Sequence, residues 1–348
     1  MNSSAIEIQD AKLNDLGLSK TVVNEEQVCC YSRNLGSVSE RNPILLLLHG
    51  YPQSSYMWRH VIPLLSPTSP LFVPDLPGYG ASAPIQQNDK LSVGKAIVSA
   101  LKTLIKRSTT VSSLSAIPIV LIGHDRGARV CHRLAVSGVE GISILGACLM
   151  DIVPTLTQWA GDPLEITGYF HWPLLANVEL AQKMITAYGG DNWCRDMIKR
   201  WAGKNDSGFK SLSSDDSLSV YASFFSHPAT IKASNEDYAA GATTDVDLQK
   251  GDQDNGRRIK CPLLLIYSKD YIGKRFNVPK EWANWVDRSS KIDSFGIGDG
   301  IGHFVVEEAP RDTAGAIGGW LEGNWGVSGG LRIVRGGVAY AGERWMWS

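Results

Sequence analysis

The chain has 348 residues, of which 43% are hydrophobic, and its 34 Lys and Arg residues nearly balance its 35 Asp and Glu residues. This balance argues against a nucleic-acid-binding protein, which would carry a basic stripe, and against a disordered acidic chain. The length is sufficient for one large hydrophobic core, or for a core domain with a lid.

The start of the chain is polar and acidic over residues 1–17, without the basic start and apolar run of a secretory signal. No run of about 18 apolar residues suggests a membrane span. We therefore expect a cytoplasmic protein that has no membrane or nucleic-acid partner and acts on a small molecule. The six cysteines are scattered without zinc-site spacing, which predicts reduced structural thiols and no metal.

Short apolar runs predict buried parallel strands, and helical stretches such as residues 92–106 and 129–137 alternate with them. The predicted strands cover residues 43–48, 71–74, 117–122, 144–150 and 262–267. This alternation predicts the α/β class, with a mostly parallel sheet flanked by helices on both faces.

Residues 155–255 interrupt the alternation. They are rich in Trp, Tyr and Phe and have helical stretches at 177–188 and 193–201. We interpret them as a helical cap, or lid, inserted before the last core strands. The polar segment at their end, residues 241–258, is interpreted as a surface segment that returns the chain to the core domain.

The core domain is accordingly predicted to comprise residues 1–154 and 256–325, with a closing helix at 314–321. A glycine-rich tail, residues 326–348, follows it. The tail has no predicted function, and we expect a loosely docked extension.

Polar residues follow the predicted strands: His49-Gly50, Asp75, Gly123-His124-Asp125, Asp151 and Asp270. In open α/β sheets, ligands bind at the carboxyl ends of the strands. This collection of Asp, His and Gly residues therefore predicts a site at that edge.

The segment around Asp125 has the form G-x-nucleophile-x-G between a strand and a helix, with Gly123 and Gly127 permitting a sharp turn. The middle residue is usually a serine, and here it is an aspartate. A carboxylate that attacks saturated carbon bearing a leaving group forms an alkyl ester, which water can then cleave. We therefore predict that Asp125 is the nucleophile, rather than a helix-capping aspartate.

The second step requires a general base, and His303 lies late in the chain within Gly302-His303-Phe304. A neutral imidazole near physiological pH suits this task. The acid that orients His303 is either Asp151, after the strand that follows Asp125, or Asp270, after the next core strand. The residues alone leave both open.

At these residues the sequence resembles the fluoroacetate (haloacetate) dehalogenase branch of the α/β-hydrolase fold superfamily, close to the epoxide hydrolases. The resemblance covers roughly residues 40–320. It rests on His49-Gly50-Tyr51-Pro52-Gln53, Tyr56-Met57-Trp58-Arg59, Gly78-Tyr79-Gly80, the segment around Asp125, Met150-Asp151-Ile152-Val153-Pro154-Thr155, His171-Trp172, Glu236-Asp237-Tyr238 and Gly302-His303-Phe304. Asp125 with two arginines, together with His171-Trp172, is the specific part.

The resemblance implies a hydrolase without a cofactor, in which Asp151 orients His303. It implies that Arg126 and Arg129 hold a substrate carboxylate and that His171, Trp172 and Tyr238 bind the departing halide. Tyr51 is placed among the substrate-binding residues, and a homodimer is a possible assembly. The chain departs from the family pattern in a Ser- and Thr-rich insertion at residues 107–118 and in the rival acid Asp270.

Three functions remain open. The leading hypothesis is hydrolytic dehalogenation of a small 2-haloacid through an ester on Asp125. The second is an epoxide hydrolase or related hydrolase for a larger metabolite, with Tyr238 and Tyr169 as proton donors to the opening oxygen. The third is a ligand-binding protein that keeps the fold without turnover.

Overall fold

The computed structural model describes residues 4–106 and 114–326 of the chain. Its first part contains α1 (Ala5–Asp15), β1 (Ser19–Val23), β2 (Val28–Arg33), β3 (Ile44–Leu48), β4 (Leu71–Pro74), α2 (Lys90–Lys106), β5 (Ile117–His124), α3 (Arg126–Ser137) and β6 (Ile142–Met150). Short 3-10 helices lie at Leu35–Ser37, Ser55–His60 and Ile62–Leu64.

Nine helices then lie between two neighbouring strands, all within residues 155–254, every one of which is described. They are α4 (Thr155–Trp159), α5 (Pro163–Gly168), α6 (His171–Ala176), α7 (Val178–Tyr188), α8 (Gly190–Trp201), α9 (Asp206–Leu212), α10 (Ser217–Phe225), α11 (Pro228–Ala242) and α12 (Thr244–Asp254). We refer to residues 155–254 as the helical insertion.

The chain then returns to the sheet. The remaining elements are β7 (Leu263–Ser268), a 3-10 helix (Ile272–Lys274), α13 (Val278–Ala283), β8 (Ile292–Ile297), α14 (Val305–Glu308) and α15 (Pro310–Trp325). No helix in the described ranges is long and apolar enough to cross a membrane.

The eight strands form one sheet in the order β1-β2-β4-β3-β5-β6-β7-β8. β2 pairs antiparallel with β1 and β4, and the strands from β4 to β8 run parallel. The predicted α/β class and the five predicted strands are confirmed. The buried runs of Leu, Ile and Val that indicated β3, β5 and β7 lie in the middle of the sheet, where helices cover both faces.

The register of the central strands aligns their carboxyl ends. Leu48 pairs with Gly123, His124 with Met150, and Met150 with Ile266. The residues that follow these strands therefore lie together at one edge, as the sequence predicted.

The prediction of a surface return at residues 241–258 was wrong. α11 continues to Ala242, and α12 begins at Thr244 with Asp245, Gln249 and Asp252 buried on one face. These polar side chains lie inside because they find partners: Asp252 pairs with Arg133 and with Arg257, and Asp245 pairs with Lys90.

The tail at residues 327–348 and most of the predicted inserted loop, residues 107–113, lie outside the described residues. All six cysteines are buried.

Candidate active site

The turn after β5 presents Asp125 into the interior. Its backbone has φ 47° and ψ −115°, a conformation that a residue with a side chain rarely adopts. The neighbouring glycines make the turn possible: a Cβ added at Gly123 would lie 2.6 Å from the Ala128 nitrogen, and one added at Gly127 would lie 2.3 Å from the His49 carbonyl oxygen. The side chain therefore projects from a tight bend at the N-terminus of α3.

The carboxylate of Asp125 is held by a main-chain donor. The N–H of Tyr51 donates to Asp125 Oδ1 at 2.9 Å, while the Tyr51 hydroxyl accepts a hydrogen bond from Trp193. The predicted substrate-binding residue Tyr51 thus reaches the site through its backbone as well as through its ring. A main-chain N–H at this position can stabilise negative charge that develops on the same oxygen.

His303 stands between two carboxylates. Its Nδ1 lies 2.6 Å from Asp151 Oδ2, and its Nε2 lies 3.8 Å from Asp125 Oδ2. The other oxygen of Asp151 accepts the N–H of Ser268 at 2.9 Å. Asp151 therefore fixes the imidazole with Nδ1 protonated and Nε2 facing the Asp125 carboxylate across a gap.

Asp270 is not brought to His303. Its Oδ2 accepts the N–H of Gly300 at 2.8 Å, and its Oδ1 lies 3.4 Å from Lys274 Nζ. The main chain turns outward after β7, so that the Asp270 carboxylate caps a surface loop. The rival acid of the sequence analysis is thereby placed away from the imidazole.

The charges around Asp125 favour its ionised form. Burial raises the pKa of the Asp125 carboxyl, but the charges of His303 and Arg126 outweigh burial and lower that pKa to about 2. Burial alone lowers the pKa of His303, while its hydrogen bond to Asp151 and the charges of Asp151 and Asp125 raise that pKa above its ordinary value. Asp125 is therefore ionised at neutral pH.

A small cavity lies over the carboxylate, between the sheet edge and the helical insertion. The cavity is small: the centres of water-sized spheres can occupy only about 20 Å³ of it. Its lining consists of Tyr51, Asp125, Arg129, Asp151, Ile152, Gln158, Tyr169, His171, Trp172, Trp201, Tyr238, Tyr271, Ile272 and His303. A second hollow, next to Trp159 and Arg275, shares Gln158, Tyr169 and Trp172 with it.

The two predicted arginines differ in their surroundings. Arg126 donates through Nε to the carboxylate of Asp237 and through Nη2 to its carbonyl oxygen, and it does not line the cavity. Its guanidinium carbon lies 4.1 Å from the centroid of the Tyr238 ring. The carboxylate of Asp237 thus supplies a counter-charge for Arg126, while Arg126 Nη1 has no hydrogen-bond partner among the described residues.

Arg129 does line the cavity, and its side chain is almost fully buried. Its Nη1 donates to Val153 O and Thr155 Oγ1, and its guanidinium carbon lies 4.6 Å from the Trp172 ring. No carboxylate lies within ion-pairing distance of it among residues 4–106 and 114–326. Burial and the charge of Arg126 lower the pKa of Arg129 to about 10. A buried cation without a counter-ion is costly, so this site favours an anion in the cavity.

The three residues predicted to bind the departing halide lie together on the side of the cavity that the helical insertion forms. The rings of His171 and Trp172 each lie 5.7 Å from that of Tyr238, edge to face. Burial lowers the pKa of His171 to about 3 and raises the pKa of Tyr238 well above its ordinary value, so both are neutral donors. His171 Nδ1 forms no hydrogen bond with the described residues.

Sequence reasoning missed four parts of this site: Trp201, Tyr271, Gln158 and the role of Asp237. The ring of Tyr271 lies 5.2 Å from that of His303, and the ring of Trp201 lies 4.4 Å from that of His171. Of these, only Asp237 could have been identified from the sequence, because it directly precedes the predicted site residue Tyr238. The others come from separate elements with no motif around them.

The sequence model described as the alpha/beta hydrolase family matches residues 45–316, most of the chain. The chain belongs to the alpha/beta hydrolase family. It is a hydrolase of that fold, and its curated relatives confirm the predicted resemblance. It is 30% identical to the fluoroacetate dehalogenase of Burkholderia sp over 280 residues, 80% of this chain and 86% of the relative. It is 27% identical to the soluble epoxide hydrolase of Corynebacterium sp. (strain C12) over 284 residues, 78% and 88% of the two chains.

Solved structures agree on the fold of this alpha/beta hydrolase. A protein of Nostoc sp PCC 7120, provisionally assigned to the alpha/beta hydrolases, superposes with a TM-score of 0.72 at 30% identity, covering 87% of this chain and 98% of the other. A protein of Pseudomonas aeruginosa, provisionally assigned as an epoxide hydrolase, has a TM-score of 0.75 at 25% identity, covering 89% and 97%. Dehalogenases and epoxide hydrolases thus both stand among the relatives.

Proposed function

We propose that this hydrolase removes halide from small 2-haloacids, such as haloacetates, through an alkyl ester on Asp125. The observation that carries the proposal is Arg129: a buried guanidinium without a counter-ion faces the same small cavity as Asp125. A substrate carboxylate would neutralise it and would place the neighbouring α-carbon near the nucleophile.

In the first step, a carboxylate oxygen of Asp125 attacks the α-carbon of the haloacid. The carbon–halogen bond breaks, the bonding pair leaves with the halide, and an ester joins the α-carbon to Asp125. Because the pKa of Asp125 is low, the carboxylate is available without prior proton transfer. His171, Trp172 and Tyr238 can donate N–H and O–H bonds to the departing halide, whose charge grows in the transition state.

In the second step, His303 Nε2 accepts a proton from water, and the resulting hydroxide attacks the carbonyl carbon of the ester. The oxyanion that forms lies where the Tyr51 N–H donates. Collapse of this intermediate breaks the bond from the carbonyl carbon to the alkyl oxygen, which takes the proton from the His303 imidazolium and leaves as the 2-hydroxyacid. The Asp125 carboxyl then loses its proton to solvent, which restores the carboxylate. Esterification removes the negative charge of Asp125, which lowers the pKa of His303 and leaves the imidazole neutral for this step.

Halide release from fluoroacetate and chloroacetate tests the substrate class. The purified protein should release one halide per molecule of acid, and release from neither compound would overturn the substrate proposal. A single turnover in heavy-oxygen water tests the ester mechanism, because the label should enter the carboxylate of Asp125.

His303→Gln should form the ester and fail to hydrolyse it, since the amide cannot accept the proton of water. Intact-mass measurement should then find one acid fragment bound to the protein, and peptide mapping should locate it at Asp125. Free product with no bound fragment would contradict the assigned base.

The second candidate is an epoxide hydrolase, which Tyr169 and Tyr238 favour because both phenols line the cavity. Burial raises the pKa of Tyr169 to about 12, so its hydroxyl is protonated and can donate to an opening oxygen. The small cavity and the uncompensated Arg129 argue for the haloacid. Hydration of styrene oxide without halide release from any haloacid would decide for the epoxide.

A further inference from the structure

The loop that carries His303 contains glycines at positions 298, 300 and 302, which leave its backbone intrinsically free. A general base must nevertheless hold its nitrogen within hydrogen-bond reach of the water that it activates. The hydrogen bond to Asp151 orients the ring, but it does not fix the peptide units on either side of it. Something else must hold the main chain of the loop.

The side chain of Glu308, at the end of α14, meets that requirement. Its Oε1 accepts the N–H of Phe304 at 3.0 Å, and its Oε2 accepts the N–H of Gly302 at 2.9 Å. The same Oε2 accepts the N–H of Gly203, in the helical insertion, at 2.7 Å. Glu308 is 4% exposed and has no ion-pair partner among the described residues, so these three amides are its main stabilisation.

The insertion contributes further bonds to the same loop. His303 N–H donates to the carbonyl oxygen of Trp201 at 2.9 Å, and Asn205 donates to Gly300 O at 3.1 Å and to Asp299 O at 2.8 Å. The contact is close enough to require glycine, because a Cβ added at Gly203 would lie 1.9 Å from Gly300 O. The three consecutive amides from 302 to 304 are therefore all bonded, two of them to Glu308.

We propose that Glu308 is a positioning residue for His303: its carboxylate fixes the peptide units that flank the histidine and ties them to Gly203 of the helical insertion. The inference rests on the proposed function for the step that it affects, which is ester hydrolysis. Glu308 touches neither the cavity nor Asp125, so ester formation does not depend on it.

Glu308→Gln tests the proposal, because the amide keeps the shape but can no longer accept all three N–H bonds. In single-turnover experiments followed by intact mass, ester formation should stay within about twofold of the native rate. Ester hydrolysis should slow roughly tenfold or more, since a general base contributes about 10²- to 10⁴-fold. Hydrolysis at the native rate would overturn the proposal.

The matched control is Glu307→Gln. Glu307 is also buried and joins the insertion to the core through Tyr221 and Arg59, but its side chain forms no hydrogen bond with the His303 loop. We expect it to lower the melting temperature without changing the ratio of the two rates. If both variants changed that ratio equally, Glu308 would have only a general structural role.

A substrate-free readout separates this inference from the proposed function. The charged and titratable groups facing His303 are Asp125, Asp151, His124, Tyr271 and Glu308. Of these, only Glu308 changes in the variant, so NMR titration should find a lower pKa for His303 in Glu308→Gln and a native pKa in Glu307→Gln. Because loss of the Glu308 charge lowers this pKa by itself, the positioning role is judged by hydrogen exchange at the amides of residues 302 and 304. If native protein forms no ester with haloacids but these amides exchange faster in Glu308→Gln than in Glu307→Gln, the proposed function fails and the positioning role stands. Equal exchange in the two variants would overturn the positioning role.

If Glu308→Gln does not fold, hydrogen exchange in the native protein tests the proposal instead. Hydrogen exchange at the amides of residues 203, 302 and 304 should be slow at neutral pH, when the carboxylate accepts all three. Exchange as fast as at exposed amides would overturn the proposal.

Discussion

Asp151 and Asp270 both follow a strand of the sheet, but their surroundings give the two carboxylates different tasks. Asp151 is buried behind His303, whereas Asp270 bonds to Gly300 and lies beside Lys274. Asp151→Asn should lower kcat by roughly 10²- to 10⁴-fold, because an amide can hold the imidazole in the wrong tautomer. Asp270→Asn should keep kcat within about twofold, since exposed ion pairs contribute little. Steady-state halide release measures both, and the opposite ranking would restore Asp270 as the orienting acid.

Arg129 predicts a preference for acids over neutral substrates. Arg129→Met removes the charge but keeps the length of the side chain, and kcat/KM for chloroacetate should fall roughly 100-fold, as expected when charged hydrogen bonds of about 1.5 to 3 kcal/mol each are lost. Turnover of the neutral chloroacetamide should change much less. The measurement is the ratio of kcat/KM for chloroacetate to kcat/KM for chloroacetamide, compared between Arg129→Met and the native protein.

Arg133→Met is the matched control for Arg129. Arg133 lies on the same helix but pairs with Asp252, away from the cavity. It should lower stability and leave the ratio of acid to amide turnover unchanged. An equal loss of both substrates in Arg129→Met would show that the guanidinium does not hold the acid group.

At the scale of elements, Asp237 on α11 joins the insertion to the core. Its carboxylate pairs with Arg126 on α3 and with Lys90 on α2, and all three are buried. Asp237→Asn leaves the buried Arg126 without an ion-pair partner, whereas Lys90 keeps Asp245, and it should cost about 3 to 5 kcal/mol in the free energy of unfolding. Denaturant titration measures this cost. Glu236→Gln is the control, because Glu236 forms a partly exposed pair with Lys232 and should change stability by less than about 0.5 kcal/mol.

The contribution of the Asp237 ion pairs to the free energy of unfolding should depend on pH. Burial raises the pKa of Asp237, but the charges of Arg126 and Lys90 outweigh burial and lower that pKa below its ordinary value. Its contribution is therefore present above the unfolded pKa of about 3.9 and is lost as the pH falls through the folded pKa. The stability difference between the native protein and Asp237→Asn should shrink below about pH 4. A constant difference would contradict this assignment.

The strands that the sequence predicted are buried over most of their length. β3, β4 and the ends of β5 and β6 are continuous apolar runs, so the hydrophobic pattern identifies them. β1 and β8 are sheet edges with mixed exposure, and their sequences contain no such run. α12 was missed for a different reason, since its buried face is polar and depends on partners from distant segments.

The site was predictable where chemistry and a tight turn fall within one short motif. Asp125 and its flanking glycines are of this kind. Arg126 and Arg129 stand three residues apart on one helix, and nothing local indicates that only one of them meets Asp237, more than a hundred residues later. The choice between Asp151 and Asp270 also depended on the direction in which each loop leaves the sheet. Such distinctions arise only when the chain folds.

At the scale of the whole molecule, the cavity belongs to neither part of the chain alone. The core supplies Asp125, Arg129, Asp151 and His303, and the insertion covers them with His171, Trp172, Trp201 and Tyr238. The ion pairs of Asp237 with Lys90 and Arg126, and the bond from Gly203 to Glu308, hold the two parts together. The enclosed space is therefore fixed by the whole fold, and its size should limit the substrate.

Chain length of the haloacid measures that limit. Because the cavity has room for only a few heavy atoms, kcat/KM should fall roughly tenfold or more for each carbon added from chloroacetate to 2-chloropropionate and 2-chlorobutyrate. Gln158→Ala should relax this dependence, since Gln158 separates the cavity from the hollow beside Arg275. Glu281→Gln is the control, because Glu281 is a partly exposed residue of α13 that lines neither the cavity nor the hollow, and it should leave the series unchanged. Turnover that rises with chain length in the native protein would indicate that the insertion opens for larger substrates, and it would favour the epoxide hydrolase candidate over the haloacid.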